Sequence, residues 1–118
     1  MRKVMYIAIN KDLNMSEGKI GAHTAHAAFD YLVDLYCKSN DYDCLYKDLI
    51  KEFKCNGDTI IVVKASQNQL IKWENEGFVS VRDRGLTEIP ENSITAVNLG
   101  IYDKDREIPK WIQRLRLL

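Results

Sequence analysis

Phe78-Val79-Ser80-Val81-Arg82-Asp83-Arg84-Gly85-Leu86-Thr87-Glu88-Ile89-Pro90-Glu91-Asn92-Ser93-Ile94-Thr95-Ala96-Val97-Asn98-Leu99 is the stretch on which the fold turns. Residues 78–82 and 94–99 are short apolar runs rich in β-branched side chains, and both read as strands. The eleven residues between them carry no helical period. A parallel return needs a crossover of about a dozen residues or more, usually a helix. The second run is therefore expected to lie antiparallel to the first.

Working outward, Thr59 to Ala65 is the clearest strand in the chain. A helix over about 67–76 follows Ser66, with Gly77 as its stop. Upstream, Asn56-Gly57-Asp58 marks a turn. Before it a helix of about 42–55 carries Tyr42, Leu45, Leu49, Ile50 and Phe53. Ser39-Asn40-Asp41 separates it from a longer helix, 18–38, in which Ile20, Ala27, Ala28, Tyr31, Leu32, Leu35 and Tyr36 recur every three or four places. Asn14 with Glu17 loosely fits a capping box, and Ser16 is the alternative N-cap. Residues 3–9 read as a strand buried on both faces. A last helix is expected over about 105–116, with Ile108, Trp111, Ile112 and Leu115 on one face. The order is β-α-α-β-α-β-β-α. Strands separated by helices should be parallel, with right-handed crossovers. The expected fold class is α/β: a small mixed sheet, last strand antiparallel, with helices on both faces.

The chain has 118 residues, enough for one domain with one real core. It is 46 % hydrophobic and 29 % charged. That composition excludes a disordered tail, a fibrous repeat and a disulfide-stapled scaffold. Lys plus Arg and Asp plus Glu are 17 each, which speaks against a generic polyanion binder. Distribution weakens that statement. Residues 30–58 are net −3, whereas 1–29 and 101–118 are each +2. Modest, salt-sensitive contact with RNA through a few Lys and Arg residues stays compatible with this pattern. The first apolar run ends at Asn10-Lys11-Asp12, so it reads as a strand rather than a signal peptide. No run approaches the roughly 20 apolar residues of a membrane span. Cys37, Cys44 and Cys55 are odd in number and form no Cys-x-x-Cys pair. They are expected to be reduced, structural thiols of a cytosolic protein.

Parallel strands share their C-terminal edge, and ligand crevices in open α/β sheets form outside that edge. Segments 10–19 and 83–93 both leave it. The first leads into Lys19, His23 and His26, at i, i+4 and i+7 on one helical stripe that Asp30 extends. Gly21, Ala22 and Ala25 flank the stripe with small side chains. Lys19 sits in the first turn, where free N–H groups favour an anion. The second segment holds Asp83, the turn-forming Gly85, and Thr87. On spacing alone the stripe also fits a solvated face with one buried, hydrogen-bonded histidine, and the segment a polar loop. His23 and His26 could hold a metal, but no third ligand has a recognisable spacing. Together, a cation, an imidazole, a carboxylate and a hydroxyl suit hydrolysis of a polar bond by water. No nucleophile elbow, Walker loop or dinucleotide loop is present.

Gly18-Lys19-x-x-Ala22-x-x-x-His26-Ala27 and Asp83-x-Gly85-x-Thr87 resemble the two signature blocks of type 2 peptidyl-tRNA hydrolases. Asp12-Leu13-x-Met15-Ser16, Thr87-x-Ile89, Ser93-x-Thr95, Gly100 and the Ile-x-x-x-x-Leu-x-Leu-Leu ending extend the resemblance over nearly the whole chain, 1–118. The resemblance implies a three-layer α/β/α sandwich around a four-stranded mixed sheet. It implies hydrolysis of the peptide–tRNA ester in the cytoplasm, without metal or organic cofactor, with peptidyl-tRNA as partner and no membrane. It carries Lys19, His26, Asp83 and Thr87 over as the catalytic set. Gly18, His23, Arg84, Gly85 and Glu88 are the expected substrate-binding residues around it. Three positions depart from the family's habit: His23 and Glu88 stand where it usually has Gln, and Arg84 where it has a small residue. A family member acting as a binding or regulatory module, or on another acyl substrate, is the competing reading. A homodimer is left open.

Overall fold

The computed structural model describes residues 2–38, 45–85, 89–90, 92–105 and 108–118, with the side chain of Leu45 outside that set. Strand β1 is Lys3–Asn10, and a single 3-10 turn, Lys11–Leu13, follows it. Helices α1 (Glu17–Lys38) and α2 (Leu45–Cys55) lead to β2 (Ile60–Ala65). Helix α3 (Gln67–Asn75) leads to β3 (Val79–Arg82), then β4 (Ile94–Asp103) and a short α4 (Lys110–Gln113).

The sheet order is β2-β1-β4-β3. β1 and β2 are parallel, and β4 runs antiparallel to both β1 and β3. The first three strands thus point the same way, as expected, although β4 separates β3 from the other two. Two crossovers of the same hand, by the general rule right-handed, explain the layering. The step from β1 to β2 moves one way across the sheet, and the step from β2 to β3 moves the other way. Crossovers of one hand in opposite directions place their helices on opposite faces.

The residues agree with that account. Alternate side chains of a strand point to opposite faces. From β1, Val4, Tyr6 and Ala8 pack with Leu70 and Trp73 of α3 and with Ile112. Met5, Ile7 and Ile9 pack with Ala27 and Leu35 of α1 and Phe53 of α2. Both faces are covered, which is why β1 is apolar almost throughout. The α3 N-terminus is fixed by a full capping box, with Ser66 Oγ accepting from Gln69 N–H and the Gln69 side chain accepting from Ser66 N–H. Gly77, at φ 102°, ends that region.

Two bulges bend β4. Near its start, Val81 faces Ala96 while Arg82 faces Ile94, so Thr95 is the extra residue. Thr95 and Ala96 then both serve the α1 side, because a bulge re-aims one side chain. The other bulge lies opposite Tyr6 and Ile7, where Gly100 takes φ 105° and donates its N–H to Asn98 Oδ1 at 2.8 Å.

The expected helix over 105–116 is corrected to four residues. Pro109 lacks an N–H and starts the helix rather than continuing one, and Asp105 N–H is held by Asp103 Oδ1. After α4 the chain extends along the free edge of β2, with Lys64 N–H donating to Arg116 O and Leu118 N–H to Val62 O. The unpaired backbone of β2 draws the tail out of helical form. β4 also runs four residues beyond the expected 99. Cys37 and Cys55 are free thiols on the surface, not core groups. Cys44 lies outside the described residues.

Candidate active site

At the edge where β1 and β3 end, the sheet and α1 enclose an open cleft of about 950 Å³. The edge is tied together locally. Asn10, closing β1, donates its side-chain N–H to Ile94 O at 2.8 Å. Asp83, just after β3, exchanges backbone bonds with Ser93 and Asn92, which closes the base of the loop. Of the expected N-caps, Ser16 is the one used: its Oγ accepts from Lys19 N–H at 3.3 Å. That cap sets the phase of α1, so Lys19 and His23 turn inward one helical turn apart.

Asp83 is the centre. It is only 7 % exposed. Its Oδ1 lies 2.8 Å from Lys19 Nζ and 3.2 Å from His23 Nε2. Its Oδ2 accepts the Gly85 N–H at 2.7 Å. Gly85 reaches that position with φ 72°, a conformation that favours glycine. The lysine bond, opposed by burial and helped by the Gly85 N–H and the nearby positive charge, holds the carboxyl below the usual aspartate range. Asp83 is therefore ionised at neutral pH. A carboxylate has about four acceptor sites, and these three contacts leave capacity for a further donor such as water.

His23 is buried as well. Its Nδ1 meets Thr95 Oγ1 at 2.8 Å, and that hydroxyl also lies 3.1 Å from Val81 O. Burial, then the positive charge of Lys19, pushes its pKa down against the pull of Asp83. Spacing alone fits a functional stripe and one with a buried, hydrogen-bonded histidine equally well. The structure makes His23 that buried histidine and also sets it against the carboxylate.

His26 is exposed on the cleft wall, edge-on to His23 with ring centroids 5.4 Å apart. Gly18, Arg84 and Asp30 also line the cleft. Arg82 does too, but its guanidinium is held by Glu74 at 2.6 Å and by Asn92 O at 2.7 Å. Phe29, 67 % exposed, forms an apolar wall beyond His26. Thr87 and Glu88 lie outside the described residues. Among the described residues, no group of three or more His, Cys, Asp or Glu side chains is placed to hold a metal ion. Thr95 was missed as part of the site, though Ser93-x-Thr95 belonged to the resemblance. Its signal was a hydroxyl inside an apolar strand, and such a group must find a buried partner.

What this arrangement offers is a fixed anion with an adjoining cation, walled by small and apolar groups, and open to solvent. The comparisons with known proteins agree on one family. The profile of the family described as Peptidyl-tRNA hydrolase PTH2 matches residues 3–118. A protein named Peptidyl-tRNA hydrolase from Thermoplasma acidophilum is 33 % identical over 125 aligned positions, covering 100 % of each chain. One of that name from Staphylothermus marinus is 33 % identical over 80 % of this chain and 78 % of its own. Another, from Sulfurisphaera tokodaii, is 30 % identical over 85 % and 86 %. With a match running from the third residue to the last, the chain belongs to the peptidyl-tRNA hydrolase PTH2 family.

Proposed function

We propose that this chain hydrolyses the ester joining peptide to tRNA in peptidyl-tRNA, releasing free tRNA and peptide, and that it does so in the cytoplasm. The observation that carries the reading is the Lys19–Asp83 pair, 2.8 Å apart in an open cleft at the C-terminal edge of the sheet. Family membership and the names of the relatives support the same chemistry.

Asp83 is a weak base at neutral pH because its charge is already stabilised. Its first task is to orient a water through Oδ2. The water oxygen attacks the ester carbonyl carbon, and a proton passes to the carboxylate as the tetrahedral oxyanion forms. Collapse breaks the bond to the tRNA 3′ oxygen, which takes the proton back. Such acid–base help contributes about 10²–10⁴-fold. Lys19 offers positive charge to the developing oxyanion or to a neighbouring phosphate. His26 and Thr87 hold water and ester in place, and Gly18, Arg84, Gly85 and Glu88 receive the substrate. RNA contact rests on few cations, so binding is modest and weakens with salt in proportion to their number.

The test is release of free tRNA from a peptidyl-tRNA by purified protein. Turnover is expected, whereas none at micromolar enzyme overturns the reading.

A further inference from the structure

The hydrolytic scheme gives no task to the buried histidine that touches Asp83. His23, 5 % exposed, sits between Asp83 and Thr95, and Thr95 is itself fully buried. The Thr95 hydroxyl has one proton and two acceptors in reach, His23 Nδ1 at 2.8 Å and Val81 O at 3.1 Å. That single proton ties the histidine's state to the hydroxyl's direction. In one arrangement the ring is neutral, Nε2–H donates to Asp83 Oδ1, and Thr95 O–H donates to Nδ1. In a second the ring is charged and both N–H groups donate, to Asp83 Oδ1 and Thr95 Oγ1. The hydroxyl then turns to Val81 O. A neutral ring with its proton on Nδ1 is disfavoured, because the Nε2 lone pair would face a carboxylate oxygen at 3.2 Å.

We propose that His23 is a positioning residue for Asp83. As a neutral Nε2–H donor it fixes the carboxylate so that Oδ2 faces the water, and its protonation, with the turn of the Thr95 hydroxyl, weakens the site on the acid side. This rests on the hydrolase reading. The reason is charge. An imidazolium adds a second cation to the Oδ1 that Lys19 already holds, and the carboxylate becomes a poorer acceptor for water.

The groups facing the ring come from three elements. Lys19 and His26 on α1 oppose a charge on it, and Asp83 after β3 favours one. Thr95 on β4 is neutral and serves either state. Arg84 and Asp30 line the same cleft. Burial adds to the opposition, so the ring titrates below the ordinary histidine range and is neutral at pH 7.

His23→Gln separates this role from a merely structural one. The amide can donate to Asp83 and accept from Thr95, as the neutral ring does, and it does not titrate in this range. The experiment is kcat/KM for tRNA release between pH 5 and 8.5, together with a ¹⁵N titration of the His23 ring in the wild type. The wild type should lose about tenfold per pH unit below one midpoint, that midpoint should match the ring's titration, and the neutral ring should carry its proton on Nε2. In His23→Gln the acid limb should move down by at least one pH unit relative to its own plateau. An unchanged limb in that variant, a ring protonated on Nδ1 at pH 7.5, or a ring titration that misses the kinetic midpoint overturns the proposal. If the variant does not fold, the wild-type titration and midpoint decide alone. If the wild type releases no tRNA, the hydrolase reading fails on that assay, and the positioning of Asp83 is judged by the ring's tautomer.

Discussion

Asp83 and Asp103 are built alike and surrounded differently. Each stands at the C-terminal end of a strand, Asp83 just after β3 and Asp103 as the last residue of β4, and each is buried. Each carboxylate accepts the backbone N–H two residues on, Asp83 from Gly85 at 2.7 Å and Asp103 from Asp105 at 3.1 Å. Because β4 runs against β3, the two sit at opposite edges of the sheet. At one edge α1 delivers Lys19 and His23 to within 3.2 Å of a carboxylate oxygen. At the other, Asp103 Oδ2 has no hydrogen-bond partner among the described residues. The turn therefore shapes a carboxylate but does not make it a site. The helix placed over one of them supplies the charge that does.

The contrast can be broken most severely at Asp83. Asp83→Asn removes the anion and keeps the shape, and kcat/KM for tRNA release should fall about 10³-fold with the fold intact by circular dichroism. Lys19→Met leaves the carboxylate and removes its cation. A loss of about 10²-fold is expected, with a shallower dependence of substrate binding on salt. A loss below tenfold would deny Lys19 a role in the reaction. Stability against pH sharpens the same point. The folded chain resists protonating His23, so the unfolded chain gains the proton first and stability falls as pH drops below about 6.5. The Asp83 contribution is intact above the unfolded value of about 3.9 and is lost as pH falls through its lower folded value. Urea melts from pH 8 to 3 read both steps, and His23→Gln should remove the first. The smallest effect belongs to Asp103→Asn. Unfolding free energy should change by less than about 1 kcal/mol in urea, and tRNA release by less than twofold. A large fall in activity there would show the two edges to be coupled.

Much of this is legible in the sequence. The apolar runs of β1, β2 and β3, the Ser66 cap and the helix-free link between the last two strands sufficed for strand direction, and so for bringing segments 10–19 and 83–93 to one edge. What escaped was non-local. The order that slips β4 between β1 and β3 depends on which edges pair, and local patterning does not encode that. The bulge that turns Thr95 toward His23 has no glycine or proline to announce it. The C-terminal helix was overdrawn because Ile108, Ile112 and Leu115 do share a buried face, while the free edge of β2 competes for the last backbone groups. Pro109 was the overlooked warning. The pairing of His23 with Asp83 needed both backbones in place, since spacing alone fits a solvated stripe equally well.

The strand order also has a consequence in time. The centre of the sheet joins residues 3–10 to residues 94–103, so the most buried pairing links the first strand to the last. Loop closure on that scale slows folding, because entropy is lost before the contacts that compensate it can form. During synthesis β1, β2 and α1 can assemble early, but as a half-sheet with β1 open on one side and β2 on the other. Residues 94–103 close the first gap and residues 116–118 the second. Until both arrive, those two strand edges are available to a neighbouring chain, and the edge of β2 is covered only as the C-terminal residues dock.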